Sequence, residues 1–218
     1  LNSLHRKLKV KGRSPIVVVV TQKPKPAGRK RQLKYSAVDI WAHKRKMPKY
    51  YDAKDLLEND VKADIGILAS YGEIIPKKVI DIFPQGILNV HPSMLPSWRG
   101  ASPVQATIIS GSQAGASIIK LDEELDHGPI FAQFKDEVLP NDTTETLRNR
   151  LFERSANVLT TLISAYISGK IKSRKQDDTK ATYTHQIKKA DAFIPPKYLA
   201  ATLQGRTLKG RDVETSFK

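Results

Sequence analysis

Asn89, His91 and Asp126 are the residues of this chain whose types and spacing are best suited to chemistry. Asn89 and His91 stand two apart at the end of an apolar run, and Asp126 follows within a Leu-Asp-His-Gly sequence. An asparagine amide can donate to a developing oxyanion, and a histidine can pass protons near neutral pH. A carboxylate beside the imidazole would hold the ring and raise its basicity. The three side chains therefore predict transfer of an acyl group onto an amine.

A strand and a turn must position these side chains. Residues two apart on a strand face the same side, so a strand over residues 87–90 directs Asn89 and His91 together. Apolar runs predict further strands at residues 15–21, 63–70, 116–121 and 130–138. Capping and periodicity predict helices at residues 36–46, 52–59, 76–82, 101–110 and 143–167. Strands that alternate with helices indicate an α/β domain with a mainly parallel sheet, whose strand ends hold the active site.

Each of the three residues also has a purely structural interpretation. His91 could be a structural histidine, Asn89 could bond to backbone in a turn, and Asp126 could stabilise the turn before Gly128. His127 is a second candidate for the proton role, although its side chain should point away from that of Asp126. A metal pair of His91 and His127 lacks a second set of ligands at suitable spacing, so no metal is predicted.

Charge points to a polyanionic partner. The chain of 218 residues has a net charge of +15, and residues 23–49 carry ten Lys or Arg against the single acid Asp39. Nucleic acid is the leading candidate, and a merely solvated basic surface is the alternative. The chain has no cysteine, which excludes disulfides and thiolate metal sites, and no apolar run approaches the ~20 residues of a membrane span.

The two ends of the chain differ from its middle. Residues 1–14 are basic and free of acids, which favours a helix end before the first strand, with a transit peptide as the alternative. Residues 171–190 are polar and basic and are interpreted as a linker after a catalytic domain at residues 1–170. Residues 191–218 are too short and polar for a core of their own, and the chain opens on Leu1, which indicates a fragment or a processed form.

Three motifs in order resemble one family. Residues 89–105 (NVHPSMLPSWRGASPVQ), 19–29 (VVTQKPKPAGR) and 69–76 (ASYGEIIP) are similar to sequences of the formyltransferases that use 10-formyltetrahydrofolate. The chain most resembles the branch that formylates methionyl-tRNA for translation initiation, and the resemblance covers about residues 1–190. It implies a Rossmann-like formyltransferase fold, with 10-formyltetrahydrofolate as the formyl donor and no metal.

The resemblance also implies roles for individual residues. The family's catalytic Asn, His and Asp match Asn89, His91 and Asp126. Folate contacts are expected from Leu68, Tyr71, Gly72, Ile74, Ser93, Leu95, Pro96, Leu121 and Leu125. Contacts with the tRNA acceptor stem are expected from Lys23, Lys25, Arg29, Lys30, Arg31, Lys34 and Arg99. In the implied mechanism Asn89 and His91 hydrogen-bond the formyl oxygen, while Asp126 positions His91 and takes up the amine proton.

Other interpretations remain open. Residues 126–130 (DHGPI) also resemble the family's glycinamide ribonucleotide branch, which acts on a small amine, and a non-catalytic RNA-binding protein is a third possibility. Relative to the family, a first strand would precede Leu1, and the C-terminal β-barrel domain is reduced to a remnant or only begins at residues 191–218. A monomer in the mitochondrial matrix is expected, with the bacterial cytoplasm as the alternative compartment.

Overall fold

The computed structural model describes residues 1–9 and 14–192. The chain divides into two compact units, residues 1–184 and residues 185–218. The described part of the second unit includes a 3₁₀ turn at Lys189–Ala192. The remnant of a C-terminal domain predicted at residues 191–218 therefore lies almost entirely outside the described residues, which end at residue 192. Within the described part of the chain, no helix is both long and apolar enough to cross a membrane.

Strands and helices alternate along the first unit. The strands are β1 (Val19–Val20), β2 (Lys25–Ala27), β3 (Gln32–Lys34), β4 (Lys49–Tyr50), β5 (Gly66–Ala69), β6 (Ile87–His91), β7 (Arg99–Gly100), β8 (Ala114–Lys120), β9 (Ile130–Asp136) and β10 (Tyr183–Thr184). The helices are α1 (Asn2–Lys7), α2 (Ala37–Lys44), α3 (Asp55–Glu58), α4 (Lys77–Ile80), α5 (Pro103–Ser110) and α6 (Thr144–Ile167). The predicted α/β class is confirmed.

The central sheet has four strands in the order β5-β6-β8-β9. β5 and β6 are parallel, whereas β6 pairs antiparallel with β8 and β8 pairs antiparallel with β9. The predicted parallel pairing is thus present between β5 and β6 in this sheet, and also in the separate pair of β1 and β4. β8 and β9 are joined by residues 121–129, which contain no helix. That connection is too short for the crossover of about a dozen residues that parallel strands need.

α6 provides most of the cover for this sheet. Its apolar residues divide into two groups along the helix. Leu147 and Leu151 pack with Val104 and Ala114, and the later group packs against Leu88, Val90 and Ile118 of the sheet: Leu159, Leu162, Ile163 and Tyr166. A capping box starts the helix, because the Thr143 side chain accepts from the backbone of Thr146 and the Thr146 side chain accepts from the backbone of Thr143. This packing fixes β6 from one side.

The first strand is shorter than predicted. Of residues 15–21 only β1 pairs, because β4 offers just Lys49 and Tyr50 as partners. The helix predicted within residues 1–14 is present as α1. A hydrogen bond joins it to α2, because the Trp41 indole nitrogen donates to Asn2 Oδ1 at 2.7 Å. Ser36 caps α2 as predicted, since its side chain accepts from the backbone nitrogen of Asp39.

The basic segment at residues 23–34 is a β-hairpin rather than an irregular loop. β2 and β3 pair antiparallel from Lys25 with Lys34 to Ala27 with Gln32. The turn between them uses left-handed backbone at Gly28 (φ 71°) and Arg31 (φ 47°). Both strands are exposed, so the hairpin extends its lysines and arginines away from the core.

Residues 171–184 are part of the first unit, which corrects their interpretation as a linker. Arg174 forms an isolated antiparallel bridge with Ile130, and β10 pairs in parallel with β7. The backbone nitrogen of Arg99 also donates to the carbonyl of Thr182 at 2.8 Å. The sequence pattern misses this because the segment is fixed by backbone and polar contacts, which leave no apolar periodicity.

Leu151 tests the role of α6 in stability. The side chain is buried in the cluster with Val104, Ala114 and Leu147. Leu151→Ala should lower the free energy of unfolding by about 2–5 kcal/mol, because it leaves a cavity as well as losing apolar contact. Ile167→Ala on the same helix is the control, since Ile167 is 44% exposed and its loss should cost about 0.5 kcal/mol or less. Urea unfolding measures both, and equal effects would contradict this packing.

Candidate active site

β6 brings Asn89 and His91 to one place. All five residues of this strand are buried, and the two side chains lie on the same side of it because strand positions alternate. The loop at residues 121–129 brings Asp126 to them across a separation of 37 residues from Asn89. The predicted trio is therefore assembled at the carboxyl end of β6, where the chain leaves the sheet.

The Asp126 carboxylate is the centre of the site. Its Oδ1 accepts from Asn89 Nδ2 at 3.1 Å, and its Oδ2 accepts from the backbone nitrogen of Gly100 at 2.9 Å. His91 Nδ1 stands 3.4 Å from the same Oδ2. Asp126 itself has left-handed backbone with φ 50°, a conformation that aspartate tolerates better than most residues. The buried carboxylate thus accepts from two donors and lies beside one imidazole.

His91 is held from both ring nitrogens. Its Nε2 lies 2.8 Å from the carbonyl oxygen of Trp98. A carbonyl can only accept, so Nε2 carries a hydrogen and donates to it. In the neutral ring Nδ1 then has a lone pair that faces Asp126. The pair can accept one further proton between Nδ1 and Oδ2, where the carboxylate stabilises it.

Burial decides which form of His91 is favoured. Loss of solvation lowers the pKa of His91, and the negative charge of Asp126 and the Trp98 carbonyl act in the opposite direction. The net direction is downward, so the neutral imidazole is favoured near neutral pH. A neutral ring with a lone pair directed at a carboxylate is a proton acceptor, and the Asn89 amide is the neighbouring hydrogen-bond donor.

His127 belongs to a different cluster. Its Nδ1 lies 2.8 Å from Asp122 Oδ2, and its Nε2 lies 3.5 Å from Asp178 Oδ2. The hydrogen bond to Asp122 is the main cause that raises the pKa of His127. The side chain is partly exposed and makes its contacts with these acids, so it is not a member of the Asn89, His91 and Asp126 trio.

Most of the residues predicted to bind folate are partly or fully exposed, whereas Ser93 and Leu95 are buried. Leu68 is paired across the sheet with Asn89, Leu121 binds the carbonyl of Ile87 through its backbone nitrogen, and Gly72 has a φ of 78°. Ile74 and Leu125 are exposed at 94% and 63%. Tyr71 is partly buried, and its hydroxyl is a buried polar atom without a hydrogen-bond partner within the described structure. These residues remain candidates for contact with an apolar ligand.

Two residues of the predicted folate set, Ser93 and Leu95, are buried. Ser93 is fully buried, and its hydroxyl donates to the carbonyl of Ser97 at 2.6 Å. Leu95 lies in a core cluster with Ile119 and Ile130. Pro96 follows a cis peptide bond, and its carbonyl accepts from the backbone nitrogen of Thr182. Ser93 and Leu95 thus pack within the turn after β6, and their side chains are buried within the described structure.

Arg99 is also a correction, because it does not face solvent. The side chain is 2% exposed, and its guanidinium donates to Gln176 Oε1, to Asp178 Oδ1 at 2.7 Å and to Tyr183 Oη at 3.1 Å. The six other residues predicted to contact tRNA are all exposed on or beside the hairpin of β2 and β3: Lys23, Lys25, Arg29, Lys30, Arg31 and Lys34. Arg99 is thus a structural cation, whereas the hairpin cations can reach a partner.

Sequence reasoning missed three groups at the site. These are the carbonyl of Trp98, the backbone nitrogen of Gly100 and the side chain of Gln176, whose Nε2 donates to the carbonyl of Asp126 at 2.8 Å. Position 100 requires glycine, because its φ of 106° and the adjacent carbonyl of Thr184 leave no room for a side chain. Gln176 lies in a polar stretch without any periodic pattern.

Comparison with known proteins shows the family. The profile of the family described as "Formyl transferase" matches residues 1–163, and the chain belongs to that family. Methionyl-tRNA formyltransferase of Buchnera aphidicola subsp. Schizaphis graminum is 37% identical over 193 residues, which is 84% of this chain and 61% of that protein. The enzyme of the same name from Chloroflexus aggregans is 38% identical and covers 82% and 60%. The chain thus spans about three fifths of the length of these relatives.

Solved structures show the same fold at lower identity. Phosphoribosylglycinamide formyltransferase from Anaplasma phagocytophilum has a TM-score of 0.61 and 22% identity, covering 85% of this chain and 92% of its own. A formyltransferase from Anoxybacillus kamchatkensis, solved with tetrahydrofolate, has a TM-score of 0.57 and 23% identity, covering 92% and 100%. The predicted formyltransferase fold is confirmed.

The charge of Asp126 is the first test of the site. Asp126→Asn keeps the shape but removes the charge that stabilises a proton on His91, so formyl-transfer turnover should fall by about 10²-fold or more. Steady-state kinetics on the folded variant measures this. Asp122→Asn is the matched control, because that carboxylate lies in the same loop and contacts His127 instead. Turnover that falls equally in both variants would contradict the assignment.

Asn89 and His91 can be tested as a pair. Asn89→Ala and His91→Ala should each cost about 2.7–4 kcal/mol of transition-state stabilisation if both serve one developing oxyanion. Because the two residues share Asp126, the double variant should lose less than the sum. Single-turnover rates of the four proteins provide this comparison. Strictly additive losses would show that the two residues serve separate steps.

Proposed function

We propose that the protein transfers a formyl group from 10-formyltetrahydrofolate to the amino group of methionyl-tRNA for translation initiation. The observation that carries this proposal is the convergence of Asn89, His91 and Asp126 in a chain of the formyl transferase family. The names of the most similar relatives support methionyl-tRNA as the acceptor. Because the chain spans only part of those relatives, activity and substrates are proposed here for the protein as a whole.

The reaction begins when the methionyl amine attacks the formyl carbon held on N10 of the folate. The carbon–oxygen double bond becomes an oxyanion, which needs a hydrogen-bond donor. Asn89 Nδ2 has two hydrogens and uses one for Asp126, so the other can stabilise the oxyanion. His91 can also donate to the formyl oxygen, provided that the imidazole exchanges its contact with the Trp98 carbonyl for the substrate.

The proton from the attacking amine needs an acceptor. His91 Nδ1 and Asp126 Oδ2 share a position where one further proton is stabilised. The amine loses its proton to this pair, directly or through water, as the carbon–nitrogen bond forms. The tetrahedral intermediate then collapses, the bond to N10 breaks, and N10 takes up the proton that the His91 and Asp126 pair had accepted as tetrahydrofolate leaves. The atoms and protons of these reaction steps balance without a metal ion.

Exposed apolar residues support the folate part of the proposal. Ile74 and Leu125 present apolar surface to solvent, and Leu68 stands next to Asn89 in the sheet register. A pterin ring is flat and partly apolar, so it can pack on such side chains while backbone groups bind its edge. We propose Leu68, Tyr71, Gly72, Ile74, Pro96, Leu121 and Leu125 as its surroundings.

The hairpin of β2 and β3 supports a nucleic-acid acceptor. Its cations are exposed, and the apolar Leu33 and the aromatic Tyr35 are 57% and 46% exposed beside them. Cations interleaved with an aromatic side chain suit a phosphate backbone with stackable bases. A small amine such as glycinamide ribonucleotide would not need this number of charges, and a non-catalytic RNA-binding protein would not need the trio at Asp126.

The compartment and the oligomeric state stay predictions. The relatives named above are bacterial, which agrees with the bacterial alternative. The expectations of a mitochondrial location and of a monomer rest on the sequence alone.

Formylation of methionyl-tRNA by the full-length protein, with and without 10-formyltetrahydrofolate, tests the proposed function. Product that depends on both substrates is expected. Formylation of glycinamide ribonucleotide but not of methionyl-tRNA would favour the small-amine alternative. Binding of tRNA without any transfer would favour the non-catalytic one.

The hairpin provides a further prediction. Replacing Arg29, Lys30 and Arg31 by alanine should weaken methionyl-tRNA binding and flatten its dependence on salt. The variant neutralises fewer phosphates, so fewer counterions are released when the tRNA binds. Titrations at several salt concentrations measure both effects. Folate affinity should be unchanged, since the hairpin is exposed and none of the residues proposed to surround the pterin belongs to it.

The matched control removes the same charge elsewhere. Lys54, Lys78 and Lys172 are also exposed, and their replacement by alanine should alter the salt slope less than the hairpin variant does. Equal slopes for the two triple variants would show that only net charge matters and would contradict a role for the hairpin.

A further inference from the structure

Gln176 connects residues 171–184 to the loop that carries Asp126. The side chain is 5% exposed, and its Nε2 donates to the carbonyl of Asp126 and to the carbonyl of Gly128, both at 2.8 Å. Both hydrogens of one amide group are therefore used on the backbone that flanks residue 127. The family profile ends at residue 163, so Gln176 lies outside the matched region.

Arg99 fixes the orientation of this amide. Its Nε and Nη2 donate to Gln176 Oε1 at 3.2 and 2.9 Å. A guanidinium can only donate, so the oxygen of Gln176 must face Arg99 and the nitrogen must face the two carbonyls. Arg99 is held in turn by Asp178 and Tyr183. Arg99 and Gln176 are thus the buried centre of a polar network whose outer members, Asp178 and Tyr183, reach the surface, and these hydrogen bonds restrict the positions of the two buried side chains.

The Asp126 loop needs such support. Asp126 has left-handed backbone with φ 50°, and residues 121–129 have neither helix nor strand to hold them. Gly128 approaches the carbonyl of Lys120 so closely that a side chain could not be accommodated. The carboxylate must nevertheless meet Asn89, His91 and Gly100 at once. A small shift of the loop would move Oδ2 away from His91 Nδ1, which is already at 3.4 Å.

We propose that Gln176 is a positioning residue that holds Asp126 in its catalytic place, and that Arg99 orients Gln176 for this role. The contribution to catalysis rests on the function proposed above. Even without a substrate, the geometry of the His91 and Asp126 pair depends on the Gln176 amide.

A purely structural role would be to anchor residues 171–184. That segment has other anchors, because Arg174 bridges Ile130, β10 pairs with β7, and Thr182 Oγ1 accepts from the backbone nitrogen of Trp98 at 2.8 Å. Loss of the Gln176 amide therefore leaves the segment attached. Its two bonds to the Asp126 loop are the contacts that the other anchors do not replace.

Gln176→Glu separates positioning from anchoring. The carboxylate keeps an acceptor for Arg99 and so keeps the anchor, but it has no hydrogen to donate to the carbonyls of Asp126 and Gly128. Positioning predicts that kcat falls about 10–100-fold, since a small misplacement at the chemistry is costly, while KM for both substrates stays within about 2-fold. A kcat at the wild-type value in this variant would overturn the proposal.

Gln133→Glu is the matched control. Gln133 also accepts from an arginine, Arg174, and its Nε2 also donates twice, to the carbonyl of Leu95 and to Ser117 Oγ. The substitution makes the same chemical change at a site that does not contact Asp126. Its kcat should remain near that of the wild type. A loss of kcat equal to that of Gln176→Glu would assign both effects to general weakening of the unit and would overturn the proposal.

Titration of the His91 ring by NMR tests the geometry without substrate. In Gln176→Met, a neutral side chain of similar size, Asp126 should move from His91 and the pKa of His91 should fall further, because the carboxylate is the charge that raises it. Gln133→Met should leave the titration unchanged. His91→Asn identifies the signal among those of the other histidines. An unchanged His91 titration in Gln176→Met would overturn the proposal.

The two measurements separate this proposal from the proposed function. If the wild type transfers no formyl group, the proposed function fails, while the His91 titration still decides whether Gln176 positions Asp126. If the wild type is active and the titration and kcat are unaffected by both variants, only the positioning role fails. Loss of folding in both Gln176 variants would assign the residue to stability and would also overturn the proposal.

Discussion

The buried carboxylate of Asp126 is the constraint on which the site depends. A carboxylate removed from water is stable only if donors or cations replace its hydration. Here Asn89 and the backbone of Gly100 donate to it, and His91 stands beside it ready to share a proton. The same contacts therefore create the arrangement that we propose for catalysis. Strand β6, strand β7 and the loop at residues 121–129 must all meet at this group.

The sheet geometry follows from that requirement. β6 is buried along its whole length and is fixed by β5 and β8 at its edges and by α6 on a face. A rigid strand can hold Asn89 and His91 in place without the help of a ligand. The loop of Asp126 has no such rigidity, and it is held by side chains from elsewhere, above all Gln176. A precise site thus combines a stiff strand with a loop that is secured by buried polar contacts.

The cations of the protein differ in their exposure to solvent. The basic residues of the β2 and β3 hairpin are exposed, whereas Arg99, a cation in the motif itself, is buried and binds Gln176 and Asp178. Exposed cations can contact phosphate at little desolvation cost, while a buried guanidinium is useful only as an organiser of fixed acceptors. The two kinds of arginine have different roles because their solvation differs.

The sequence by itself determined the α/β class, the trio of Asn89, His91 and Asp126, the cap of α2 at Ser36 and the long helix α6, because local periodicity, capping and motif spacing encode these features. It could not show that Arg99, Ser93 and Leu95 are buried, since their exposure depends on which segments cover them. It also could not reveal Gln176, whose role arises from a contact across 50 residues of sequence. Tertiary structure decided these points because polar contacts between distant segments leave no local pattern in the chain.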